Sequence, residues 1–249
     1  MPAVEQSKTE PSTAPTTSPA TAPADISAAL PGLKTPDEVS GTLKWILLAT
    51  ALSVAPAVLV LVTCFTRIIV VLGLLRAALA TPQLPPNQVI FGLALLMTVV
   101  VMMPTGNKVY RDAVEPYMAG RISQTQALTT AEGHARAFMI RQIDDANNQE
   151  DVFLFISEAD AKNVKVWKDV PTIAMIPGFV VSELKVAFSM GFRFFLPFLI
   201  IDMLIASVLV SMGMLMVPPV LISLPFKLLL FVLADGWHLV IGTLMTSFG

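Results

Sequence analysis

The chain has 249 residues, 55% of them hydrophobic and only 14% charged, with mean hydropathy +0.72 and formal net charge −2. Soluble globular domains carry about 25% charged residues, so much of this chain is built for apolar surroundings, and its near-neutral balance offers no nucleic-acid surface. The single cysteine, Cys64, excludes an intramolecular disulfide and a cysteine metal cluster. Beside Val62, Thr63 and Phe65 it reads as a small buried apolar residue.

Residues 1–41 read as a disordered Pro/Thr/Ala-rich tail: positions 1–40 hold seven prolines and almost no large apolar side chains, too little to offset the entropy of ordering. The basic start and short apolar core of a secretory signal are missing there. Residues 45–54 before Ala55-Pro56-Ala57 resemble a late cleavage site, but the apolar run continues to Thr66.

Residues 42–104 form a first apolar helical hairpin. Positions 45–66 run for 22 residues without a charge, and about 20 suffice to span a hydrocarbon core as a helix. Arg67 and Arg76 bracket the stretch IIVVLGLL, so the helix is expected to continue past Arg67. TPQLPPNQ at 81–88 breaks it, because Pro82, Pro85 and Pro86 remove donors and disfavour helix before them. A second helix, 89–103, is expected to end at Pro104 and Gly106.

Residues 105–182 read as a hydrophilic helical insert, with ten acidic and eight basic residues between Lys108 and Asp169. Amphipathic stretches such as ARAFMIRQI (135–143) predict short helices and no independent sheet. So long a connection is expected to be functional or to pack on partner chains. His134 reads as a solvated surface residue.

Residues 183–249 form the second apolar hairpin, with helices at about 194–215 and 220–245 flanking a methionine-rich bend at Gly213 and Pro218-Pro219. Pro56, Pro197 and Pro225 predict kinks whose freed carbonyls neighbouring helices satisfy. The fold class is therefore all-α: a membrane-type protein of two kinked apolar helical hairpins with a helical extramembrane insert. The positive-inside rule places the first loop, with Arg67 and Arg76, in the cytoplasm and both tail and insert outside.

Three charges lie within apolar helices: Asp202, Lys227 and Asp235. Each costs about 2.5–3.5 kcal/mol at a bilayer centre, so none should face lipid. Asp202 shares a helical face with Ala206 and Gly213, which lets another helix approach closely. Lys227, Ala234 and His238 share another, with Asp235 beside His238. One reading is a proton or ion relay, as in an ion-coupled transporter using Asp202 and Asp235. The other is structural: opposite charges, most simply Asp202 with Lys227, lock helices or subunits together. A transporter should show internal repeats around a midplane site, and the hairpins show no convincing repeat. A passive anchor for a soluble domain leaves the buried charges unexplained. Met212, Met214 and Met216 alternate through SMGMLMVPP; flexible thioethers suit either irregular core packing or a seal that yields. No nucleotide-binding loop, HExxH, Cys/His ligand spacing or Gly-x-Ser-x-Gly elbow is present, so neither an enzyme nor a cofactor is expected.

Three stretches carry a resemblance: FTRIIVVLGLLRAALATPQLPPNQVIFGLALLMTVVVMMP (65–104), RAFMIRQ (136–142) and IPGFVVSELKVAFSMGFRFFLPFLIIDMLIASVLVSMGMLMVPPVLISLPFKLLLFVLADGW (176–237). Together they resemble the FliP family of flagellar type III protein export gate subunits. The injectisome counterpart, the SctR family, typically reads FVKI where this chain has FTRI, and VSP at Val217-Pro218-Pro219. The resemblance implies a pore-forming subunit in the bacterial inner membrane at the flagellar basal body. It implies a pentameric ring with FliQ and FliR beside the gate proteins FlhA and FlhB, passing unfolded flagellar export substrates. It also implies a methionine gasket around the pore, matched by Met214 and Met216, with Leu215 where a methionine is usual and Met212 as an extra one. Glu183, Lys185, Asp202, Lys227 and Asp235 match the family's polar positions, as inter-helix or inter-subunit charges. The long tail departs from the family, where a cleaved signal peptide is common.

Overall fold

A computed structural model describes residues 36–81, 84–156, 166–214 and 216–249. The expected tail, apart from its last few residues, and Leu215 lie outside the described residues, as do Pro82 and Gln83 of the first breaker. The chain divides into two compact units, residues 1–52 and 53–249. Described residues are all helix, turn or coil, with no strand among them.

The helices are α1 (Pro36–Val62), α2 (Phe65–Ala78), α3 (Asn87–Val109), α4 (Glu115–Met118), α5 (Gln124–Asp145), α6 (Glu150–Phe153), α7 (Thr172–Ser211), α8 (Pro219–Leu233) and α9 (Gly236–Thr246). A π-helical turn, Tyr110–Val114, joins α3 to α4, and a 3₁₀ turn, Trp167–Asp169, precedes α7. Two helical stretches, Asn87–Met118 and Thr172–Ser211, are long and apolar enough to cross a membrane. The broken pairs Leu48–Val62 with Phe65–Ala78 and Pro219–Leu233 with Gly236–Thr246 each pass the same test jointly.

The central element is α7, which packs against α2, α5, α6 and α8. Its 40 residues extend about 60 Å at 1.5 Å per residue, roughly twice a hydrocarbon core. Its first half is sheathed by α5 and α6 instead. Met175, Phe179, Glu183, Ala187 and Met190 recur at helical spacing and are buried. The four apolar ones meet Ile68, Val71, Leu72 and Leu75 of α2 and Phe138, Met139 and Ile143 of α5 in one core. Phe138 and Phe179 meet edge-to-face, centroids 6.0 Å apart. Gly178 sets the closest approach: a Cβ there would lie 2.7 Å from the Val152 Cα of α6.

Five expectations are corrected by this geometry. The first apolar helix does not run through Arg67. It stops at Val62, where the Thr63 hydroxyl accepts from the Phe65 N–H (3.4 Å) and the Thr66 hydroxyl donates to the Val60 carbonyl (3.1 Å). Threonine side chains here compete for backbone groups and open a break without proline or glycine. Arg67 is accordingly no loop charge, and the orientation drawn from it loses half its basis. Pro104 does not end α3, because the segment beyond it gains packing on α5 that outweighs one lost donor. The second long helix of the last hairpin is split at Ala234-Asp235 and bent by 63°. Asp235 adopts the left-handed conformation at φ 47°, and Gly236 packs so closely on Phe231 that a Cβ would strike the ring. His134 is no free surface residue: its Nε2 lies 3.0 Å from Asp112 Oδ2 on the π-helical turn.

The glycine contacts generate opposite outcomes for one substitution. Gly178→Ala should destabilise the purified chain by about 1–3 kcal/mol, since the new methyl meets backbone. Gly133→Ala, in open space on α5, should stabilise it by about 0.5–1 kcal/mol. Melting of the detergent-solubilised chain reads both signs; a matching direction would contradict the packing.

Candidate functional site

Arg67 projects from the buried face of α2, the same face as Val71, Leu75 and Ala78, and is 2% exposed. A guanidinium carries five N–H donors, and each finds an oxygen. Nε donates to Glu183 Oε2 at 2.9 Å, and Nη2 donates to the other Glu183 oxygen and to Gln142 Oε1 (3.1 Å). Nη1 donates to the Ser247 carbonyl (2.9 Å) and hydroxyl (3.2 Å). The Phe248 ring stacks with its centroid 4.3 Å from Cζ. One side chain thus ties α2, α5, α7 and the end of α9. Fork-to-fork pairing with Glu183 is the strong form of such contacts, and burial of both charges is tolerable only because the remaining donors are met.

Asp202 and Lys227 are brought together in a second polar centre between α7 and α8. Lys227 Nζ lies 2.6 Å from Asp202 Oδ2 and donates to the Ala78 carbonyl at 3.1 Å. Its ammonium therefore also serves the C-terminal carbonyls of α2, where a cation is favoured. The Ser223 hydroxyl donates to Asp202 Oδ1 at 2.5 Å. Lys227 is 2% exposed, whereas the Asp202 side chain keeps 25%.

Lys185 joins neither centre. Its ammonium pairs with Asp151 of α6 while staying half exposed. Asp235 and His238 lie exposed at and beyond the α8–α9 break, and neither forms an ion pair among the described residues. Among the described residues the partners of Asp202 are Lys227 and Ser223, and Asp235 is not one of them.

Met212, Met214 and Met216 stand on the bend between α7 and α8. Gly213, at φ 76°, closes α7: the Met214 N–H donates to the Leu209 carbonyl (2.9 Å) and the Gly213 N–H to that of Val210 (3.0 Å). This is the glycine-dependent helix stop. Pro219 then starts α8 at the first helical position, where its missing donor costs nothing. Between two stiff ends the methionines face outward, Met216 at 96% exposure.

Sequence reasoning passed over Arg67 and Gln142 as site residues. For Arg67 the signal was its register: a lone base on the stripe that buries α2. Gln142 likewise occupies the buried stripe of α5 with Phe138 and Met139. Arg136, in the same motif, donates to the Trp167 (3.2 Å) and Val170 (2.8 Å) carbonyls and to the Thr172 hydroxyl, holding the start of α7.

Exposure decides which partner of the second centre matters more. Asp202→Asn, which leaves Lys227 buried and unpaired, should cost about 3–5 kcal/mol. Lys227→Met should cost less, because Asp202 keeps Ser223 and solvent. The double variant should recover most of the loss, read by melting temperature in a double-mutant cycle. Arg67→Lys should behave as a loss rather than a conservative change, since an ammonium has three donors and no fork. Near-native melting of Arg67→Lys would show that the full set of contacts is not required.

A family model described as the FliP family matches residues 48–244. The chain is 50% identical over 213 residues to the flagellar biosynthetic protein FliP of Bacillus subtilis, covering 86% of this chain and 95% of that protein. It is 47% identical over 227 residues to that of Pectobacterium carotovorum, covering 89% and 86%. For that of Aquifex aeolicus it is 44% over 207 residues, covering 83% and 86%. With the family model spanning most of both apolar hairpins, Arg67 with Gln142 and Glu183, the Asp202–Lys227 pair and the methionine bend, the chain belongs to the FliP family.

Proposed function

We propose that this chain is a core pore-forming subunit of the flagellar type III protein export gate, and that flagellum assembly needs it to export unfolded flagellar subunits. On this reading five copies close a ring with FliQ and FliR in the bacterial inner membrane, at the flagellar basal body, beside FlhA and FlhB. The chain acts as a conduit and carries out no catalysis. Supporting it is the methionine bend: flexible apolar side chains left bare on a turn whose two ends are fixed by Gly213 and Pro219.

The exposed faces favour assembly over a solitary helix bundle. Phe188, Phe192, Met203 and Leu204 of α7 and Leu221, Phe226, Leu229 and Val232 of α8 are all exposed in the single chain. Apolar area of this extent marks contact with other protein or with lipid. The charges of both helices other than Arg193 are turned into internal pairs, which leaves those faces with few ionised groups. In a ring, Met214 and Met216 from each copy would line the constriction, where thioethers fill an irregular gap and give way to an extended polypeptide.

Replacing Met214 and Met216 together with Ala in the reconstituted complex should raise ion leakage severalfold at rest while flagellin export persists. Unchanged leakage at normal complex yield would reject the seal.

A further inference from the structure

Arg193 lies on α7 between the two buried centres, nine residues before Asp202 and ten after Glu183. It is exposed and, among the described residues, makes no ion pair or hydrogen bond. An unpaired charge within an apolar helix calls for a partner from outside the chain.

Two cavities meet at this residue. The first, about 520 Å³, lies between α7, α8 and α9, and among the described residues Arg193 is the one charged member of its wall. Apart from Thr243 the rest is apolar, including Phe194, Phe198, Leu230 and Leu239. The second, about 530 Å³, is more polar than the first and is lined by Lys185, Ser189, Asn148 and Thr246 among others. Met190, Arg193 and Thr243 belong to both walls, so an apolar chamber opens into a polar vestibule at a guanidinium. Asp151 already engages Lys185, which leaves Arg193 as the uncommitted cation. Each volume falls within the range of about 300–1,000 Å³ found for small-molecule sites.

The shape asks for an amphiphile with one anionic head and an apolar tail. A free anion would use the vestibule and leave the chamber empty; an apolar helix from another chain would fill the chamber and leave Arg193 unpaired. We propose that chamber and vestibule together bind one anionic phospholipid, its phosphate on Arg193 and an acyl chain between α7, α8 and α9. The guanidinium meets two phosphate oxygens in a fork geometry, and a basic pocket between membrane helices is a known form of headgroup site.

Native mass spectrometry of the full chain, purified with its membrane partners and offered phosphatidylglycerol and phosphatidylcholine in equal amounts, tests this. The unaltered chain should retain phosphatidylglycerol in preference. Arg193→Gln should lower that preference about fivefold, the worth of one basic side chain against an anionic lipid, and Arg193→Lys should keep most of it. Ala234→Phe, which fills the chamber, should reduce retention of both lipids. The proposal fails if the unaltered chain shows no preference, if Arg193→Gln retains phosphatidylglycerol undiminished, or if Ala234→Phe leaves retention intact. It also fails if cross-linking from position 239 captures a protein helix in place of lipid. The wild-type preference decides the matter even where a variant does not assemble. Lipid retention is read without export, so its loss and the loss of the gate reading are separable.

Discussion

A charged guanidinium inside packed apolar helices leaves the chain little freedom elsewhere. Arg67 has five donors to satisfy, and the oxygens that meet them come from α5, α7 and the final residues after α9. Moving any of these elements strands a buried polar group, at a cost far above that of losing an exposed contact. After the break at Thr63-Cys64, α2 starts at Phe65 with Arg67 in the register that meets Glu183. The C-terminal segment, otherwise short and apolar, is held by the Ser247 carbonyl, the Ser247 hydroxyl and the Phe248 ring.

The second polar centre solves a related problem differently. Lys227 shares its charge between Asp202 and a helix-terminal carbonyl, so α8 is tied at once to α7 and to the end of α2. Asp202 keeps partial access to solvent and a hydroxyl partner, making it the less demanding member of the pair. Both centres turn their charges inward, and the outward faces of α7 and α8 are almost wholly apolar. On the export-gate reading those faces are the surfaces along which neighbouring chains or lipid close, and stiffness and yield are kept in different places. The ion pairs hold the helices; the methionine bend, fixed at both ends by backbone chemistry, carries the soft side chains.

The sequence by itself determined composition-level and local features. Long uncharged runs require helices, since in lipid only an internally bonded backbone is satisfied. Prolines 85 and 86 break the first hairpin, and Gly213 with Pro218-Pro219 shapes the methionine bend, because glycine and proline act through their own φ angles. Pairing of Asp202 with Lys227 was legible because each is costly alone and they are the nearest opposite charges on adjacent helices.

Tertiary structure decided what depends on partners distant in sequence. Arg67 and Glu183 are 116 positions apart, and Arg67 and Ser247 are 180 apart, so nothing local marks the arginine as buried except its place on a stripe. Continuation of α3 through Pro104 depended on packing against α5, which outweighs one missing donor. The break at Asp235 had a local signal, the turn-forming pair Asp235-Gly236, passed over inside a long apolar run, while the close contact of Gly236 with Phe231 exists only once α8 and α9 have folded against each other. Local chemistry chooses conformations residue by residue, while the fate of a buried charge is settled by whichever distant groups arrive to satisfy it.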